Sequence, residues 1–220
     1  MFGNYAHTSA SAGARNRGAA TQDRIVERAV HIASVEGLSS MSLATLAKAT
    51  SMSKSGLYAH FRSKEALQIA IIDEAERTFR RLVVEPARDQ SGLDRLVTLV
   101  RGYAAYCADG PFDGGCFFAA ASHEFDGRPG AVRDRLAAFA DGWCTELRAC
   151  VKDALQRSEL APGTDPAAVA FEVLALGLGG NFYSQLLVGR EAAARLSREA
   201  ADRLIARHGA AQRLGANSST

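Results

Sequence analysis

Residues 43–61 read Leu-Ala-Thr-Leu-Ala-Lys-Ala-Thr-Ser-Met-Ser-Lys-Ser-Gly-Leu-Tyr-Ala-His-Phe. Ser42 and Ser53 each stand where a hydroxyl can accept a free backbone N–H at the start of a helix, so two short helices are expected, at about 43–49 and 54–60, joined by a tight polar turn. Leu43, Leu46 and Ala47 fall on one face of the first helix, and Leu57 and Phe61 on one face of the second, so the two can pack together. That packing leaves Lys54, Ser55, Gly56, Tyr58 and His60 facing outward. The exposed N-terminal end is small and polar and can approach base edges in a major groove. Tyr58, His60 and Lys64 can donate to phosphates, and so can the backbone at the start of the next helix, which Ser63 caps.

Upstream, Ile25, Ala29, Ile32 and Ala33 share one helical face from about Gln22 to Glu36, and Gly37 supplies the stop. Downstream, the helix after Ser63 should end before Pro86. Further helices are expected at about 92–109, 115–125, 130–159, 166–188 and 190–208, with breaks at Asp109-Gly110-Pro111, Gly127-Arg128-Pro129 and Pro162 to Pro166. The helix containing Trp143 places Val132, Leu136, Phe139, Trp143, Leu147, Cys150 and Ala154 on one stripe; the last helix does the same with Ala193, Leu196, Ala200 and Leu204. The fold class is therefore all-α, with about nine helices. Its expected division is a flexible arm (1–20), a helix-turn-helix domain (21–66), a helical body (67–208) and a flexible tail (209–220). Charge follows the division: residues 1–66 hold eight Lys/Arg against four acids, and the remainder eighteen against twenty. A basic head on a mildly acidic body suits a reader of nucleic acid.

The run Ser53-Lys54-Ser55-Gly56-Leu57-Tyr58-Ala59-His60-Phe61-Arg62-Ser63-Lys64-Glu65-Ala66-Leu67, with Ala47 before it and the Ile25…Ala29…Ala33…Gly37 pattern upstream, resembles the DNA-binding domain of the TetR family of regulators. The resemblance covers about residues 22–70. It implies that Tyr58, His60 and Lys64, with Ser42 and Thr45 from the preceding helix, hold the phosphate backbone. It also implies that Ser53, Lys54, Ser55 and Gly56 lie nearest the bases. One departure is Ser51, where the family usually has Gly in the turn; Ser is less at ease at positive φ, so altered turn geometry is expected there. The resemblance further implies a dimeric repressor of a palindromic operator on double-stranded DNA. A homodimer would form through the helices at about 166–188 and 190–208, and a small-molecule effector would bind in the body. Gly177, Gly179 and Gly180 weaken a helix and make sense where two backbones approach closely across that dimer.

The body is aromatic-rich for a chain that is only 7% aromatic. Tyr103, Tyr106, Phe117, His123, Phe139 and Trp143 could line a cavity for a small apolar or aromatic ligand, and His123 and Trp143 would bring polar groups into it. Enzyme motifs are lacking: no Ser/His/Asp order, zinc-protease motif, phosphate loop or paired carboxylates in apolar context appears. Glu124 and Asp126 read as a solvated helix end. No cofactor motif or metal-ligand spacing is found, and Cys107, Cys116, Cys144 and Cys150 form no C-x-x-C pair. A cytoplasmic protein with reduced thiols is expected. No secretory-signal pattern opens the chain, and Glu172, Asn181 and Gln185 make residues 167–188 a poor membrane span. Two alternatives stay open: a thiol-based redox-responsive regulator using Cys107 and Cys116, which flank one loop, and an activator without a ligand.

Overall fold

The computed structural model describes residues 7–209, with side chains described from Thr21 onward, Lys54 excepted. Nine α-helices follow one another among the described residues: α1 (His7–Glu36), α2 (Leu43–Thr50), α3 (Lys54–His60), α4 (Lys64–Phe79), α5 (Gly92–Asp109), α6 (Phe117–Phe125), α7 (Ala131–Gln156), α8 (Pro166–Phe182) and α9 (Arg190–His208). No strand is present among the described residues; the nearest approach to one is an isolated bridge between Leu160 and Gly209.

The helix starts follow the local chemistry read above. Ser42, Ser53 and Ser63 accept Thr45 N–H, Gly56 N–H and Ala66 N–H at 3.0–3.1 Å, and Asp165 accepts Ala167 N–H at 2.9 Å just before Pro166. Two helices end in a π turn, at Arg80–Val84 and at Tyr183–Leu187. The first stops one residue short of Pro86, which has no N–H to continue the α pattern and crowds the carbonyl four residues back. Glu85 N–H reaches Arg80 O instead.

One boundary differs. α1 begins at His7, fifteen residues before the expected start, so most of the stretch read as a flexible arm is helical. The Ala-rich composition between residues 10 and 20 accounts for this, since Ala has the strongest helix propensity and offsets Gly13 and Gly18. Residues 1–6 and 210–220, the rest of the expected arm and most of the expected tail, lie outside the described residues.

α1–α3 form the head, with Ile25, Ala29, Leu38, Met41, Leu46, Leu57 and Phe61 buried together. α4 leads from it into the body and packs against α1 and α7. α5 is the body's axis, in contact with α7, α8 and α9. Its N-terminal N–H groups are capped from α7 and the residues beyond: Gly92 N–H donates to Asp153 at 2.6 Å and Leu93 N–H to Glu159 at 2.7 Å. The stripe on α7 lies inward as expected, with Phe139 partly covered. α9 is rotated relative to its expected stripe. Ala193, Ser197, Ala201 and Leu204 face inward, while Leu196 is exposed and Ala200 half-buried.

The loop between α5 and α6 joins three parts of the molecule. Gly114 rests on α1, its N–H donating to Ser34 Oγ at 3.2 Å, and a Cβ there would fall 1.7 Å from Ser34 O. Cys116 N–H donates to Asn181 Oδ1 of α8 at 2.8 Å. Arg190, the first residue of α9, donates to the carbonyls of Phe112 and Asp113 at 3.0 and 2.8 Å.

Candidate nucleic-acid interface and effector cavity

Leu43, Leu46 and Ala47 of α2 are buried against Leu57 and Phe61, as the sequence pattern requires. Ser51 closes α2 in the left-handed conformation, φ 56° and ψ 25°. Serine thus holds here the positive φ in which glycine is more at ease. The cost is about 1 kcal/mol, which the buried contacts on either side of the turn outweigh.

Beyond this turn α3 presents Ser53, Ser55 and Tyr58 to solvent, Tyr58 at 59% exposure. Ser53 and Ser55 hydroxyls contact each other at 3.1 Å. Gly56 has φ in the ordinary helical range, and a Cβ there would meet only Ser53 Oγ at 3.2 Å and Met52 Cε at 3.9 Å. A glycine is therefore not demanded by a left-handed backbone at this point, and it leaves the outer face low enough for close approach by a ligand. His60 is half-buried. Ser42 and Thr45 share a hydroxyl contact at 2.9 Å at the start of α2. Lys64 is exposed, but its ammonium donates to Ser39 O at 2.5 Å, a tie within the head that sequence reading missed. Lys54 Nζ lies outside the described side chains. α3 and the starts of α2 and α4 thus each present small or polar side chains, with hydroxyls at Ser42, Thr45, Ser53 and Ser55 and a base at Lys64.

In the body, Phe79 is the centre of an aromatic cluster. Tyr106, Phe139 and Trp143 stand edge-on to it at ring separations of 5.1–5.2 Å, and Phe118 stacks on Phe139 at 3.5 Å. Beside this cluster lies an apolar cavity of about 140 Å³, walled by Phe79, Tyr103, Cys116, Phe118, Phe139 and Trp143 among others. A second cavity of about 290 Å³ shares Phe79, Phe139 and Trp143 and has Glu76, Arg80, Arg135 and Glu146 around it. The Trp143 indole N–H is buried without a hydrogen-bond partner.

Of the six residues expected to line a cavity, Tyr103, Phe139 and Trp143 do so. Tyr106 and Phe117 are buried in the packing around it. His123 is exposed on the outer side of α6 and lines neither cavity, which corrects the expectation that it would orient a ligand. The rotation of α6 explains this: Phe118, Ala121 and Phe125 are buried at steps of three and four, and His123 falls on the exposed side beside Ser122.

The Cys107 and Cys116 thiols adjoin. Burial pushes the Cys107 thiol well above the ordinary cysteine range. Cys116 moves the other way. The Cys107 thiol beside it, and then the Ala119 and Phe118 amides at the start of α6, stabilise its thiolate more than burial opposes it.

The family model "Bacterial regulatory proteins, tetR family" matches residues 25–71, and the model "Tetracyclin repressor-like, C-terminal domain" matches residues 92–200. The chain belongs to the TetR family. Among solved structures, a TetR transcriptional regulator from Chloroflexus aurantiacus J-10-FL is 25% identical with a TM-score of 0.77, covering 87% of this chain and 95% of that one. A TetR-family regulator from Cytophaga hutchinsonii is 25% identical with a TM-score of 0.75, covering 88% of this chain and 96% of that one. AibR, solved with isovaleryl coenzyme A and operator DNA, is 23% identical with a TM-score of 0.66, over 86% of this chain and 98% of its own, and shares the fold. No curated protein sequence matches. The TetR assignment makes α2–α3 the helix-turn-helix of a DNA-binding transcriptional regulator and α5–α9 its C-terminal domain.

Two of the three α8 glycines are accounted for within the chain. A Cβ on Gly177 would lie 2.3 Å from the Tyr103 ring, and one on Gly180 would lie 2.7 Å from Ser197 Oγ, so both admit neighbours from the same chain. Only Gly179 of the three faces open space. α8 and its π turn, Pro166–Leu187, are long and apolar enough to cross a membrane by length and composition. Two of their polar side chains are engaged within the fold, Glu172 by Arg207 at 2.6 Å and Asn181 by Cys116 N–H at 2.8 Å.

Proposed function

We propose that the protein is a dimeric repressor that reads a near-palindromic operator and is released from it by a small apolar or aromatic effector. The observation that carries DNA reading is the outward face of α3, where Ser53, Ser55, Gly56 and Tyr58 leave a low, hydroxyl-lined surface within the matched helix-turn-helix. On this reading Ser53, Lys54, Ser55 and Gly56 approach base edges, and Ser42, Thr45, Tyr58, His60 and Lys64 hold phosphates. Pairing through α8 and α9 is supported by exposed Phe171, Phe182, Leu186 and Leu187, with Phe171 at 72% and Leu186 at 69% exposure. A groove of about 330 Å³ between these helices, lined by Leu176, Gly179, Tyr183, Leu196 and Ala200, extends that apolar face. Two heads on one DNA face would meet half-sites about one helical turn apart, or a multiple of it.

The effector reading is supported by the aromatic cavity and by the unpartnered Trp143 indole, which offers one hydrogen bond to a ligand acceptor. The related AibR was solved with an acyl thioester and operator DNA together. An effector releases DNA only by preferring a head arrangement that no longer matches the half-sites.

Selection of bound DNA from a random pool tests DNA reading, palindromy and spacing together. Recovery of inverted half-sites at one spacing is expected, and recovery of no enriched sequence would overturn the reading. Lys64→Ala should weaken binding to all sequences and lower the salt slope by about one. Sedimentation at micromolar concentration should give a dimer.

A second reading is favoured by the paired thiols. Peroxide would oxidise the Cys116 thiolate to a sulfenic acid with release of hydroxide. The Cys107 thiol would then displace the new hydroxyl as water, leaving a disulfide. Peroxide should then lower operator affinity in the wild type and in a Cys144→Ser variant, but not in Cys107→Ser or Cys116→Ser; equal loss in all four would sink this reading.

A further inference from the structure

Glu124, on the last turn of α6, does not lie in solvent. Its carboxylate accepts Leu38 N–H at 2.9 Å and Ser39 N–H at 2.7 Å, from the turn between α1 and α2 more than eighty residues away. The same turn is gripped from α4, where Gln68 Nε2 donates to Leu38 O at 2.8 Å and Lys64 Nζ donates to Ser39 O. Two consecutive residues of the head therefore give their N–H groups to the body and their carbonyls to α4. Gly37 allows this: it sits at φ 88°, and a Cβ there would come within 3.1 Å of both carboxylate oxygens. Leu38 and Met41, which flank the turn, are fully buried in the head, so a force on the turn is a force on the head.

The other face of α6 forms part of the aromatic cavity through Phe118, Ala119 and Ser122. One nine-residue helix thus faces the cavity on one side and holds the head at its end. Bonds from two backbone N–H groups to a carboxylate are charge-assisted and stronger than neutral ones.

We infer that Glu124 is a positioning residue that fixes the angle of the reading head on the body, and thereby sets the half-site spacing the dimer accepts. The second clause rests on the dimeric DNA-binding reading above; the first does not. Loss of the carboxylate frees the turn to swing about α4, so the heads sample a range of separations. The half-site contacts made by α3 are unaffected, because Glu124 lies on the body and touches only the backbone of the turn.

The test uses the full chain and two variants. Glu124→Ala removes both acceptors, and Glu124→Gln keeps the side-chain length and one acceptor oxygen. The first measurement is the width of the distance distribution between spin labels on Ser55→Cys in α3 and Ala149→Cys in α7, in a Cys144→Ser background diluted with unlabelled chain. The width should at least double in Glu124→Ala and increase less in Glu124→Gln. The second is the ratio of affinities for the selected operator and for the same operator with one base pair inserted at its centre. That ratio should fall at least tenfold in Glu124→Ala, while a base change within a half-site keeps its wild-type cost. Should circular dichroism show that Glu124→Ala is unfolded, Glu124→Gln decides. Unchanged label widths in every folded variant would overturn the inference, whatever happens to DNA binding. Broadened widths in a protein that selects no operator would leave the clamp standing and overturn the DNA-binding reading. Broadened widths with an unchanged spacing ratio would overturn the claim that the clamp sets spacing.

Discussion

Ser51 holds a left-handed backbone that glycine would adopt without strain, and no other residue supplies that bend between α2 and α3. Its side chain is exposed, so nothing is lost by removing it. Ser51→Gly should stabilise the head by up to about 1 kcal/mol, offset in part by the added freedom of the unfolded chain. Chemical denaturation should show a higher midpoint with operator affinity unchanged. Gly56 is the opposite case. Gly56→Ala should change stability by no more than about 1 kcal/mol, because the better helix propensity of alanine is set against a 3.2 Å contact with the capping Ser53 Oγ. Its methyl group would stand on the face proposed to meet the bases, and operator affinity should fall at least tenfold, the ~1–3 kcal/mol scale of a base contact. A variant that loses stability and affinity together would point to an internal role for this glycine. Sequence was a good guide where a residue acts on its own neighbours. Ser42, Ser53 and Ser63 are read correctly as caps because the N–H each accepts lies three residues away. It was a poor guide to Glu124, whose partners lie across the molecule, and to His123, whose exposure depends on how α6 is rotated. A glycine-containing turn with free N–H groups at residues 37–39 was the one available hint.

At the scale of elements, the order and limits of the helices follow from periodicity and breakers, whereas the face each helix turns to its neighbours follows from packing. α9 shows the difference. Two stripes run along it from Ala193 to Leu204, and the inner one carries the smaller Ser197 and Ala201, both buried, with Gly180 admitting Ser197. α8 is apolar on nearly every side, so its sequence could not tell inner glycines from outer ones. The structure separates them. Gly177→Ala places a methyl group into the buried Tyr103 ring and should destabilise the fold by about 1–3 kcal/mol. Gly179→Ala meets nothing in the chain and should be neutral or stabilising in the isolated protomer. In thermal melts Gly177→Ala should therefore fall while Gly179→Ala holds or rises. If Gly179 lies in the proposed dimer seam, its alanine variant should also dissociate at a higher protein concentration than the wild type.

Across the described residues, hydrogen bonds attach the head at two places besides the chain connection through α4. α6 grips the α1–α2 turn, and the loop before α6 rests on Ser34 of α1. That loop is also held by Arg190, through the carbonyls of Phe112 and Asp113. Arg190 opens α9, one of the two helices proposed to pair with a second copy. Free-energy coupling between two sites is reciprocal. If pairing adjusts the loop and the loop adjusts the head, then occupying the head must adjust pairing by the same factor. A duplex carrying a single half-site, too short to bridge two heads, should then change the monomer–dimer dissociation constant, although it adds no contact between protomers. Arg190→Ala should remove that dependence while leaving the half-site affinity of the monomer intact. The guanidinium of Arg190 would in that sense be a thermodynamic link through which each protomer registers both its partner and its DNA.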